Sequence, residues 1–246
     1  MVYEARTYRK LHQQKDLCHF QVMVGETDLD IAVRKERYDQ KLVELAAALV
    51  REERDLLKEY INRDPVFLTT LEPYEPLPDA PFSVLEMSRA AQLAGVGPMA
   101  AVAGYFAETV GKKLSAFSRE VIIENGGDIW LKTSKTRHVG IFAGKSPFTH
   151  RIALEIKAGR TPLGICTSSG TVGHSLSFGK ADAMVILAPS AILADAVATA
   201  ACNMVQNAAD LESAVNFALN ISGVTGAVAI LGDKMAARGE IKLVPM

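Results

Sequence analysis

Arg119-Glu-Val-Ile-Ile-Glu-Asn-Gly-Gly-Asp-Ile-Trp-Leu-Lys132 is the stretch that decides the fold. Two runs rich in β-branched and aromatic residues flank Asn125-Gly-Gly-Asp128, and Asn-Gly between such runs is the strongest short hairpin signal. Similar short runs follow: His138-Val-Gly-Ile-Phe142, Arg151-Ile-Ala-Leu-Glu-Ile156 and Leu163-Gly-Ile-Cys-Thr167. Each is bounded by Gly, Pro or polar turn residues, with no helical segment between them. That spacing predicts a meander of antiparallel strands rather than alternating βαβ units.

Upstream, Phe20-Gln-Val-Met-Val24 and Glu26-Thr-Asp-Leu-Asp-Ile31 read as a strand pair. Over 35–61 the pattern turns helical, with Tyr38, Leu42, Leu45, Leu49, Leu56 and Tyr60 on one face and Arg51, Glu52, Arg54, Asp55 and Lys58 opposite. That is the pattern of a solvated amphipathic helix laid on a sheet. Pro73, Pro76, Pro78 and Pro81 make 71–82 a loop between layers. A helix starts near Val84, breaks at Gly95-Val-Gly-Pro98 and resumes to about Leu114. Downstream come a buried strand at Ala183-Met-Val-Ile-Leu187, a helix opened by Pro189-Ser190, a helix from Asp210, and strands at 226–232 and 241–244. The whole is α+β: one domain over 1–246 with a mostly antiparallel sheet and helices on one face. Its first part is 1–82, and 83–246 carries the motifs described next.

Composition narrows the function classes. The 246 residues hold 49% hydrophobic and 22% charged side chains, which suits a globular core. The 27 Lys and Arg against 28 Asp and Glu give a net charge of -1, so no nucleic-acid partner is expected. Cys18, Cys166 and Cys202 are an odd, widely spaced set without CxxC, as in a reducing compartment rather than a disulfide framework. The N-terminal residues lack the apolar core of a signal peptide. The charge-free 213–232 is broken by Asn216, Asn220, Gly223 and Gly226, so a helix, a turn and a strand are expected there rather than a membrane span. The expectation is a cytoplasmic protein with no membrane partner; homo-oligomerisation is left open.

Three segments carry chemistry. In Glu124-Asn-Gly-Gly-Asp128, Gly126 and Gly127 can bring backbone close to a ligand, with Asn125 and Asp128 as flanking polar groups; alone, the segment is first of all a hairpin turn. In the helix after Ser190, Asp195 and Thr199 stand at i and i+4 on one face and offer two hard oxygens of the kind Mg²⁺ takes; alone, they are a dipole-stabilised Asp and a Thr bonded to its own turn. In Cys166-Thr-Ser-Ser-Gly-Thr-Val-Gly-His174, hydroxyls and glycines suit phosphate contact, and Cys166 with His174 could supply a nucleophile or sulfur carrier; alone, Cys166 is a small buried hydrophobe.

Together these segments resemble the ApbE family of flavin transferases. That family carries an Asn-Ala-Gly-Gly-Asp-like turn, a Thr-Ser-Gly loop and an Ala-Asp-Ala-Leu-Ala-Thr-Ala helix start. Here they read Glu124-Asn-Gly-Gly-Asp128, Thr167-Ser-Ser-Gly170 and Ala194-Asp-Ala-Val-Ala-Thr-Ala200, with Ala103-Gly-Tyr-Phe-Ala-Glu108 as a fourth echo. The resemblance covers about 100–232. It implies a T-fold-like α+β domain, Mg²⁺ held by Asp195 and Thr199, and FAD or FMN as the small-molecule partner. It places Asn125, Gly126, Gly127 and Asp128 on the nucleotide and Thr167, Ser168, Ser169 and Gly170 on flavin or phosphate. The chain departs from the family where Ala103 replaces its Lys and where its His-x-x-x-Pro-x-Thr-Gly segment is absent. In this it looks like a compact cytoplasmic branch linked, in anaerobic prokaryotes, to sulfur assimilation. Three readings follow: a Mg²⁺-dependent flavin or nucleotide-pyrophosphate protein, a sulfur-handling protein working through Cys166, and a binding protein that kept only the fold.

Overall fold

The structure is a computed structural model describing residues 9, 14–171 and 178–246. Eleven strands and six α-helices are formed by the described residues. The main sheet has eight strands in the order β1-β2-β3-β4-β7-β8-β9-β10. Its members are β1 (Leu17–Val24), β2 (Thr27–Arg34), β3 (Val121–Asn125), β4 (Asp128–Lys132), β7 (Leu163–Ser168), β8 (Ala183–Ala188), β9 (Gly226–Leu231) and β10 (Lys234–Gly239). Every pairing in it is antiparallel. The quoted hairpin forms in the expected register: Asn125 pairs with Asp128, and Gly126 and Gly127 occupy the turn at φ 69° and 105°. Positive φ at both central residues is what a two-residue turn between right-twisted strands requires, and glycine meets it without strain.

Two further strands of the expected meander do not join this sheet. β5 (Arg137–Gly140) and β6 (Ile152–Ile156) pair with the chain's last strand, β11 (Leu243–Pro245), as a separate three-stranded sheet, and β4 passes directly to β7. The cause is visible in β8, Ala183-Met-Val-Ile-Leu-Ala188, which is buried along its whole length. A strand apolar on both sides needs cover on both faces. The small sheet covers one, packing Ile141, Leu154 and Ile156 against Leu131, Ile165 and Val185. The helices cover the other. Strand β10 was not legible beforehand, because Lys-Met-Ala-Ala-Arg-Gly is an exposed edge strand without apolar alternation.

The helical layer contains α1 (Gln40–Arg63), α2 (Val66–Thr69), α3 (Phe82–Ala94), α4 (Val102–Leu114), α5 (Ala191–Met204) and α6 (Leu211–Asn220). The buried stripe of α1 is Leu42, Ala46, Val50, Leu57 and Tyr60, whereas Tyr38 and Leu56 are exposed, a rotation of the face read from the sequence. The expected solvent-facing Arg54 reaches back to Thr27 Oγ1 at 2.8 Å. The proline-rich stretch is irregular over 71–81, and α3 begins at Phe82.

Helix α5 is fixed from α4. Glu108 is buried and its Oε2 accepts from Ser190 Oγ (2.9 Å), Ala191 N–H (2.6 Å) and Ile192 N–H (3.3 Å), while Oε1 pairs with Lys112 Nζ at 2.6 Å. An anion on the unsatisfied amides of a helix start is stabilised by both hydrogen bonding and the helix dipole. Glu108→Ala leaves two of those amides unpaired in the core, so stability in urea denaturation is expected to fall by about 3 kcal/mol.

Candidate functional site

Where α4 and α5 cross, Gly104 lies so close to α5 that a Cβ there would sit 2.2 Å from the Ala191 carbonyl oxygen and 2.8 Å from Asp195 Cβ. The contact aims the start of α4 at Asp195: Gly104 N–H donates to its Oδ2 at 2.8 Å, and the Ala103 amide also bonds to the carboxylate. The Ala103 carbonyl accepts from Asn125 Nδ2 at 3.1 Å, tying the hairpin to the same crossing. Asp128 shares its strand face with Trp130, whose ring packs on Gly111 of α4, so it too faces the helices. Among the described residues, neither Asp128 nor Asp195 pairs with a Lys, Arg or His.

These groups open into a cavity of about 1450 Å³, larger than the roughly 300–1,000 Å³ typical of drug-sized ligands. Asn125, Gly126, Gly127, Asp128, Thr167 and Ser169 line it together with Asp195 and Thr199. Leu57, Ile61, Val96, Met99, Val102 and Phe106 give it an apolar wall. Eight of the residues singled out from the sequence are thus brought to one cavity. Ser168 and Gly170 are not among its walls. Ser168 is buried, and its Oγ has no partner among the described residues. Gly170 is a site of close chain approach, where a Cβ would lie 1.8 Å from the Gly179 carbonyl oxygen. The Gly127 amide is already used, donating to Glu124 Oε1 at 2.8 Å, so that glycine serves the turn. His174 lies outside the described residues.

Burial governs the electrostatics. It raises Asp195 to about 7, against the pull of the Gly104 and Ala103 amides. Burial also raises Asp128 well above the usual carboxylate range, and the charge of Asp195 adds to it; the neighbouring Cys166 side chain and the Thr167 amide oppose it. Cys166 is fully buried, is not part of the cavity wall, and donates to the Ala191 carbonyl at 3.3 Å. Desolvation, then the charges of Asp128 and Asp195, push its pKa up, so it is held as the thiol. A nucleophilic or sulfur-carrying cysteine needs the opposite, access and a lowered pKa.

The residues that fix this geometry were mostly missed in the sequence. Gly104 and Glu108 lie in the Ala103-Gly-Tyr-Phe-Ala-Glu108 echo, which marked the segment without revealing its task. Glu124, which bonds Gly127, is also held by an ion pair with Arg9. His19 and Asp30, which bond at 3.0 Å, line the cavity without having been singled out.

The fold is that of the ApbE flavin transferases. It matches the Vibrio cholerae flavin transferase ApbE with a TM-score of 0.51 and 13% identity, covering 91% of this chain and 97% of that one. It matches the ApbE protein of Thermotoga maritima with a TM-score of 0.56 and 15% identity, over 91% and 97%. By sequence, the family model for AbpE bacteria matches residues 9–238, and the chain belongs to that family. It is 47% identical to a UPF0280 protein of Methanocella arvoryzae over 76% of this chain and 77% of the relative. It is 38% identical to one from Methanococcus aeolicus over 92% and 91%. No single described helix is long and apolar enough to cross a membrane.

Two outcomes follow. Because Asp195 titrates higher in the folded chain than unfolded, the folded state holds the extra proton between the two values, and its stability contribution is lost as pH rises. Wild type is therefore expected to lose stability relative to Asp195→Asn between about pH 4 and 8, by on the order of 4 kcal/mol, in cation-free thermal or urea melts. In the native chain, Ellman's reagent is expected to modify half-buried Cys18 and spare buried Cys166 and Cys202 until denaturant is added.

Proposed function

We propose that the chain binds a flavin nucleotide in the cavity over the α4–α5 crossing, with Mg²⁺ held by Asp195 and Thr199 at its pyrophosphate. The observation that carries this is the buried Asp195 carboxylate, without a cationic partner among the described residues, opening into a large cavity beside Thr199, one turn further along the same helix face. Hard oxygens with no cationic partner among the described residues fit a divalent ion that completes its shell with water and phosphate. Bound there, Mg²⁺ would supply a Lewis acid to a phosphoanhydride.

The chain's own residues hold and orient. The Gly104 and Ala103 amides fix the Asp195 carboxylate, and the Asn125 amide fixes Ala103 in turn. The apolar wall of Leu57, Ile61, Met99 and Phe106 suits a flavin ring, while Thr167 and Ser169 offer hydroxyls to phosphate or ring. The reading is one of binding. The family's Lys position is Ala103, which contributes backbone atoms only, and Gly170 reaches β8 in a dozen residues without the His-Pro segment. The sulfur-carrier reading gains nothing from the burial of Cys166.

Isothermal titration calorimetry with FAD and FMN, each with and without Mg²⁺, tests this. FAD is expected to bind in a Mg²⁺-dependent way, and Asp195→Ala is expected to weaken that binding at least tenfold while far-UV circular dichroism is unchanged. A folded wild type that binds neither flavin overturns the reading and leaves a chain that kept the fold alone.

A further inference from the structure

Asp128 enters the cavity from the sheet and Asp195 from the helices. The two carboxylates come from strands and helices far apart in sequence, and each sits in the low-dielectric seam between the layers. Asp128 is 6% exposed, and its Oδ1 has no hydrogen-bond partner among the described residues. An orphaned carboxylate oxygen in the core is expensive unless something absent from the protein itself satisfies it. The charge of Asp195, on the same cavity, makes the cost larger, because like charges repel most where water is excluded. No ion pair relieves either group among the described residues. The Thr167 amide faces the Asp128 carboxylate as a donor, holding it in place without supplying positive charge.

We propose that Asp128 is a second carboxylate ligand of the cation at Asp195 and Thr199, so that the chain holds a divalent cation before any nucleotide arrives. This rests on the reading of Asp195 and Thr199 as the cation's helix-borne ligands. Asp128 adds a ligand from the opposite layer and bridges the β3–β4 hairpin to α5 through the ion. Two carboxylates and a hydroxyl are three hard-oxygen ligands. They leave open positions for water and phosphate, which suits a small divalent ion. The cation also ties the turn that lines the cavity to the helix that carries Asp195, so the cavity is shaped before the nucleotide enters.

The test uses Mn²⁺ as the probe on the full, nucleotide-free chain at pH 8, followed by calorimetry and by the electron paramagnetic resonance signal of free Mn²⁺. Wild type is expected to bind one Mn²⁺. Asp128→Asn, which keeps shape and removes charge, is expected to bind it at least tenfold more weakly, as is Asp195→Asn. In cation-free melts Asp128→Asn is expected to unfold at a higher temperature than wild type, because a buried repulsion is gone. Added Mn²⁺ is expected to raise the melting temperature of wild type and to leave that of Asp128→Asn nearly unmoved. Wild-type Mn²⁺ affinity in Asp128→Asn with loss in Asp195→Asn overturns the role of Asp128 and leaves the helix site standing. Unchanged affinity in Asp195→Asn overturns both. A wild type that takes up Mn²⁺ only after FAD is added overturns the proposal that the site fills by itself.

Discussion

The structure depends on how closely α4 approaches α5. At Gly104 the two backbones are near enough that any side chain would collide with the Ala191 carbonyl. The same stripe of α4 continues one turn on with Glu108, which caps the first turn of α5, and two turns on with Gly111, which admits the Trp130 ring of β4. Positions i, i+4 and i+7 of one helix thus hold a second helix and a strand at fixed distances. Asp195 on α5 and Asp128 on β4 are placed by those two contacts. The site is therefore a product of layer packing, and a methyl group at Gly104 would displace it.

Such a site is costly. Two carboxylates buried without ion pairs among the described residues work against stability, and the amides of Gly104 and Ala103 offset only part of the desolvation of Asp195. Hydrophobic residues of similar size would fold more stably. An arrangement that burdens the fold at the wall of a large cavity is characteristic of a place where a ligand completes the structure. The thiol of Cys166 belongs to the same seam. Its raised pKa follows from burial beside those carboxylates, which keeps it a donor.

The relation to the ApbE flavin transferases lies in the arrangement of layers more than in side chains, since identity to their solved structures is 13–15%. The local likeness read from the sequence is the hairpin turn and the Asp195 and Thr199 pair. At Ala103 the backbone atoms are in use: the carbonyl takes the Asn125 side-chain amide and the N–H bonds Asp195. Fold similarity alone assigns no chemistry, and the chain's own cavity is what the proposal of a flavin nucleotide rests on.

Much was written locally and could be read locally. The Asn125-Gly-Gly-Asp128 turn, the α3–α4 break at Gly95-Val-Gly-Pro98, the Ser190 start of α5 and the period-two strands each depend on neighbours within a few residues, so their patterns determined them. Asp195 and Thr199 were legible as a pair because helical spacing alone puts them on one face. Three things were not local. The division of the strands into two sheets follows from β8 needing cover on both faces, which no stretch of 137–156 states by itself. The burial that silences Cys166 comes from α5, which begins 25 residues later. The meeting of Asp128 with Asp195 spans both layers. Sequence by itself determined the elements and the chemical groups they carry. Tertiary packing decided which of those groups share a dry cavity, because burial and charge are set by what lies across the layer and not by what lies along the chain.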